Sequence, residues 1–98
     1  MAKRLRAITQ SDVNSVSGPS NYSQGTGTPA DEFTTRSDLD RVDEVSAGVD
    51  NGSYNAQVLS VTSNNRIHIG VFSADTGNAV SDDTDLSSES FTYTAYKL

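Results

Sequence analysis

A single histidine, no cysteine and one loop crowded with carboxylates are the residues of this chain best placed to do chemistry. His68 lies in the stretch RIHIGVF, between two isoleucines. An imidazole acts as a general base only with a nucleophile and an orienting acid in hydrogen-bond reach. The neighbouring sequence supplies neither, so His68 reads as a strand residue that faces solvent or is hydrogen-bonded. Asp82, Asp83, Asp85 and Glu89 gather in SDDTDLSSE, and clustered carboxylates suit Ca²⁺ or Mg²⁺. Counted from Asp83, however, the glycine and the bidentate acid of a calcium loop are replaced by Ser88 and Thr94. The loop reads as solvated and acidic, with no metal and no cofactor expected. GTGTP at residues 25–29 lacks the following Lys-Ser/Thr and the preceding strand of a phosphate cradle. No catalytic residue emerges, and the expectation is a protein that is not an enzyme.

The other chemistry on offer is electrostatic. Lys3, Arg4 and Arg6 stand at the start of a chain whose formal net charge is −6. Without those three, four basic side chains face thirteen acidic ones, a formal −9. Such a body repels nucleic acid, so only the tip has a charge that suits phosphates, and an acidic protein surface fits it better. Ten Asp against three Glu, with two Lys among seven basic residues, match either an ordinary acidic protein or one kept soluble in molar salt. No apolar run approaches the roughly 18 residues of a membrane span, and the start lacks the apolar stretch of a signal peptide. A soluble chain without membrane contact is expected.

Elements must hold these groups in place. Leu, Ile, Val and Phe number 20 of 98, with five before residue 37 and fifteen after it. Residues 10–35 are mostly Ser, Asn, Gly, Thr, Gln and Pro, too polar to offset their ordering entropy alone. Residues 1–36 are therefore expected to form an extended N-terminal arm, and residues 37–98 an antiparallel β-domain. Ser37 with Asp38 and Asp40 suits the cap of one helical turn. VSAGVD alternates as a half-buried strand, and Asn51-Gly52 after it is the strongest hairpin signal of the chain. In YNAQVLSVT the apolar phase changes between Val58 and Leu59, which means either that both faces are covered or that a bulge sits there. Asn64-Asn65 marks a second tight turn. RIHIGVFSA then alternates, with Ile67, Ile69 and Val71 inward and Arg66, His68, Gly70 and Phe72 opposite. Val80 and Leu86 are expected to tuck back from a long polar connection before the closing strand FTYTAYKL. Four main strands result, five or six if the arm contributes, as a small antiparallel β-sandwich or barrel-like domain.

About 60 residues make a marginal core. With no disulfide available, association is the expected stabiliser, pointing to a homo-oligomer. At roughly 3.3 Å per extended residue the arm would reach on the order of 100 Å, far enough to lace subunits together. Lys3, Arg4 and Arg6 for docking, Phe33 as arm anchor, and Phe72, Tyr93 and Tyr96 for interface packing are the partner-binding candidates.

The short basic start, the Ser/Gly/Thr-rich arm, the small β-domain and the closing pattern AVSDDTDLSSESFTYTA resemble small virion structural proteins of tailed viruses. The acidic, lysine-poor composition resembles those of viruses of halophilic archaea. The resemblance implies a capsid decoration or cement protein located in the virion, clamping neighbouring capsid or tail subunits through its arm. A tail or connector component is the alternative within that family. A monomeric Ig-like module that binds a surface or glycan ligand through residues 75–90 is the alternative outside it.

Overall fold

Six strands and no helix make up the computed structural model, which describes residues 8–24 and 32–98. They are β1 (Gln10–Ser17), β2 (Thr34–Arg36), β3 (Glu44–Val49), β4 (Tyr54–Val61), β5 (Arg66–Ser73) and β6 (Ser90–Lys97). Two three-stranded sheets result, in the orders β1-β6-β3 and β2-β5-β4, with every pairing antiparallel. The all-β sandwich expected from the sequence is the fold.

The core follows the period-two pattern of the strands. From the first sheet Phe91, Tyr93 and Ala95 point inward, and from the second Ile67, Ile69 and Val71 do, all with no exposed surface. Leu86 joins them from the connection between β5 and β6, and Val80 packs alongside, both folded back as expected. Phe33 meets Phe91 edge to face, with ring centroids 4.9 Å apart and planes at 78°, a favoured aromatic geometry.

The polar stretch read as an arm supplies two of these strands. β1 pairs with β6 along its whole length, from Gln10 opposite Lys97 to Ser17 opposite Ser90. β2 pairs with β5. Directly after β1, residues 18–22 are tied to the 82–89 connection: Gly18 N–H donates to Glu89 O (3.0 Å), Leu86 N–H to Pro19 O (2.8 Å) and Tyr22 N–H to Thr84 O (3.0 Å). No break in the fold coincides with residue 36. Composition understated this segment because an edge strand presents few residues to the core. On β1 the inward positions are Asp12, Asn14 and Val16, and Val16 alone is apolar.

Two turn expectations separate here. Asn64-Asn65 closes the β4–β5 hairpin, with Asn65 N–H donating to Thr62 O (3.0 Å) and Asn65 left-handed at φ 60°, a conformation Asn tolerates. Asn51-Gly52 also turns, but the strands on either side lie in different sheets. A two-residue hairpin of the expected type needs positive φ at both central residues. Among the described residues only Asn65, Asp83 and Gly77 have it. Asp50 is instead drawn to β6, its N–H donating to Ser90 O (3.1 Å) and its side chain accepting Ser90 N–H (3.2 Å).

The phase change in β4 is a bulge. Val58 faces Ile69 and Ser60 faces His68, leaving Leu59 as the extra residue. The insertion returns Val61 to the Ile67 side and lays Leu59 over Gly70. Ser37 caps no helix: its hydroxyl accepts Leu39 N–H (3.1 Å) in a local turn.

Candidate functional site

Three polar constellations are buried or half-buried in the domain, and each joins residues far apart in sequence. The first centres on Asp12 of β1. Its Oδ2 accepts the Ser37 hydroxyl (2.9 Å), the Asp38 N–H (3.1 Å) and the Tyr93 hydroxyl (3.1 Å). The Tyr93 hydroxyl also lies 3.1 Å from the Arg36 carbonyl. One carboxylate thereby ties β1 and β6 to the chain leaving β2. Partial burial pushes the Asp12 carboxyl up, but the Asp38 N–H and the two hydroxyls outweigh it and leave its pKa below the ordinary value.

The sign of the resulting pH dependence follows directly. A carboxyl more acidic in the folded chain than in the unfolded one contributes stability above the unfolded value, about 3.9, and loses it as pH falls through the folded value. Urea midpoints should therefore fall between about pH 5 and pH 2. Asp12→Asn should flatten that slope, and Asp12→Ala should cost about 1–3 kcal/mol at neutral pH by stranding its donors. Asp40 and Asp85 are also lowered, the first mainly by Lys97 and the second by Ser87, but both are solvent-exposed. A slope unchanged in Asp12→Asn would rule out Asp12 as its source.

The second constellation is Tyr22, fully buried and wedged against the edge of β5. Its hydroxyl donates to Gln24 Oε1 and accepts the Val71 N–H (3.0 Å). It satisfies a β5 backbone donor beyond the end of β2. Burial, and next the nearby Asp82 and Glu32 carboxylates, push its phenol above the ordinary value despite the Val71 hydrogen bond.

The third is His68, whose Nε2 meets the Glu32 carboxylate, both side chains being buried. His68 does occupy the side of β5 opposite Ile67 and Ile69, but that side is covered rather than open. Glu32 closes over His68, and Leu59 over Gly70. The sequence offered His68 no acid because Glu32 lies 36 positions earlier, and only the β2–β5 register brings it close.

The candidates from sequence scatter. Phe33 and Tyr93 are buried in the chain's own core at 6% and 0% exposure, which leaves no surface for a partner docking on the folded domain. Phe33 is an anchor, but it anchors its own segment to Phe91. Phe72 and Tyr96 are half-buried and follow the inward Val71 and Ala95, so they occupy the outer faces of different sheets and form no common patch. Lys3, Arg4 and Arg6 lie outside the described residues. In the acidic loop Asp82 accepts the Gln24 N–H (3.3 Å) and Asp85 accepts the Ser87 N–H (2.9 Å) and hydroxyl (2.6 Å). Among the described residues no three His, Cys, Asp or Glu side chains come together as a metal site would require.

No protein-family model, curated protein or solved structure matches the chain.

Proposed function

We propose that this chain is a non-enzymatic structural protein of a virion, of the capsid decoration or cement kind, that clamps neighbouring subunits. The observation that carries the proposal is where the polar chemistry goes. Asp12, Tyr22, Glu32, His68 and Tyr93 are all engaged in joining strands. Beyond these joints the chain carries a charge asymmetry: an acidic balance overall, and a basic start at Lys3, Arg4 and Arg6. Opposite charges on one chain favour docking of the tip on a neighbouring acidic surface and steer its approach. Tethering then makes a second, weaker contact effective. A glycan-binding module using residues 75–90 is less well supported, because Leu86 is buried and the loop is bonded to residues 18–24.

The test is immunogold labelling, with antibody against the purified chain, of particles from a culture that expresses it natively. Label on particle heads is the expected result, and label on tails would move the protein to the tail or connector. Label confined to cells, with clean particles, would overturn the virion reading.

A further inference from the structure

We infer that two copies of this chain pair through the outer edge of β1, in antiparallel register about a two-fold axis at Val13, making one continuous six-stranded sheet. The inference is independent of the virion reading.

The register of β1 on β6 determines which backbone groups are left over. Gly18 N–H donates to Glu89 O, which makes Gly18 and Glu89 a hydrogen-bonded pair of the ladder. Antiparallel ladders alternate, so Gln10, Asp12, Asn14 and Val16 direct their N–H and C=O groups at β6. The groups of Ser11, Val13, Ser15 and Ser17 point the other way. The order β1-β6-β3 places no strand on that side among the described residues. Consistent with this, Ser15 N–H is taken up only by the adjacent Asn14 side chain (2.9 Å). Val13, at the middle of the strand, is 65% exposed, the most exposed large apolar side chain among the described residues.

β-Sheet edges are normally protected by lysine, proline, a bulge or an inward-pointing charge. QSDVNSVS has no lysine or proline, and its register with β6 is unbroken. Its one charge, Asp12, points inward, but its carboxylate is already paired with Ser37, Asp38 and Tyr93 inside the chain, so a strand added at the edge would not leave a bare charge. This edge is therefore open to strand addition.

A second copy is the occupant that the sequence of the strand selects. A two-fold axis at Val13 sets Val13 against Val13 of the second copy, Ser11 against its Ser15 and Asp12 against its Asn14. No like charges meet, and the carboxylate faces a carboxamide donor. An axis at Asp12 would set two Asp12 carboxylates directly opposite each other, and an axis at Asn14 would set each exposed Val13 against Ser15 of the second copy instead of against its own counterpart. An axis at Ser15 would bring Ser11 opposite Pro19, which has no N–H to give. The Val13 register also bears on the charge asymmetry. It sets Ile8 opposite Gly18 of the second copy, where Gly18, Pro19 and Tyr22 are bonded to the loop carrying Asp82, Asp83, Asp85 and Glu89, and in sequence Lys3, Arg4 and Arg6 precede Ile8 by two to five positions.

The experiment is light scattering after gel filtration of the full chain and of Val13→Pro, in about 0.15 M and in molar salt, at which surface charge is screened within about 8 Å and 3 Å. Proline at 13 deletes an N–H directed at the free edge and spares every hydrogen bond to β6. The expected result is twice 10.4 kDa for the wild-type chain and 10.4 kDa for Val13→Pro, with matching far-UV circular dichroism. Val13→Asp, which sets two carboxylates face to face at the axis, should give the same halving should Val13→Pro not fold. Deleting residues 2–7 should preserve the dimer in molar salt and weaken it in dilute salt. A monomeric wild-type chain at about 100 µM, or a folded variant that keeps the wild-type mass, would overturn the proposal.

Discussion

Tyr22→Ala is expected to abolish the cooperative urea transition of this domain, or to leave it folded only at low temperature. Truncating a large buried aromatic costs about 3–5 kcal/mol. Here the loss includes a second component, because the Tyr22 hydroxyl is the partner of the Val71 N–H. Orphaning that donor adds about 1–3 kcal/mol. Small domains stand at the lower end of a range of about 5–15 kcal/mol, so the two effects together approach the whole stability. Tyr22→Phe separates them: the ring remains, the hydroxyl goes, and only the smaller cost should appear in the urea midpoint. The raised phenol adds an alkaline signature. A group whose acidity is suppressed in the folded chain contributes stability below its unfolded value and loses it as pH rises, so stability should decline above about pH 10, and less so in Tyr22→Phe. A Tyr22→Ala midpoint equal to wild type would mean that residues 18–24 are not part of the folded unit.

Tyr22 also shows why the first third of the chain was hard to read. Its neighbours are Ser, Asn, Gly and Gln, and nothing local distinguishes a tyrosine that caps a strand 49 positions away. The same holds for Asp12, whose partners Ser37 and Tyr93 lie 25 and 81 positions along the chain. Where the stabilising contact is a strand's own alternation, as in RIHIGVF, sequence and structure agree residue by residue. Where it is local turn chemistry the outcome is mixed. Asn65 adopts the left-handed conformation its type favours, whereas Asn51-Gly52 yields to the pull of β6 on Asp50. The Leu59 bulge was legible because an inserted residue shifts the apolar phase, which a list of residues records. The candidate aromatics were the least legible: alternation predicts which residues share a face of β6, but not whether Tyr93 faces a core or a partner. That depended on whether residues 10–24 and 32–36 lay against the domain, and their composition pointed the other way.

Gly18→Ala is the second large effect, and its cause is a close approach of backbone. A methyl group at residue 18 would be pushed into the Leu86 carbonyl oxygen and sit 2.8 Å from both Leu86 Cβ and Phe91 Cε1. None of the three can retreat cheaply. The carbonyl is fixed by the Leu86–Pro19 and Glu89–Leu86 hydrogen bonds, and Leu86 and Phe91 are fully buried. Overpacking of a rigid site costs about 1–3 kcal/mol and sometimes more. At about 4–8 °C per kcal/mol for a domain of this size, the melting temperature should fall by on the order of 10 °C. Gly70→Ala is the internal control. Its methyl would also approach at 2.9 Å, but only the tip of Leu59, which is 38% exposed and free to rotate outward. That substitution should stay within about 0.5 kcal/mol of wild type. Thermal melts of the two variants side by side decide the matter. A clear gap means that the Ser17–Pro19 corner is packed as tightly as the core, and equal shifts would mean that it yields, so that β1 is held to the domain by its ladder with β6 and the Asp12 hydrogen bonds.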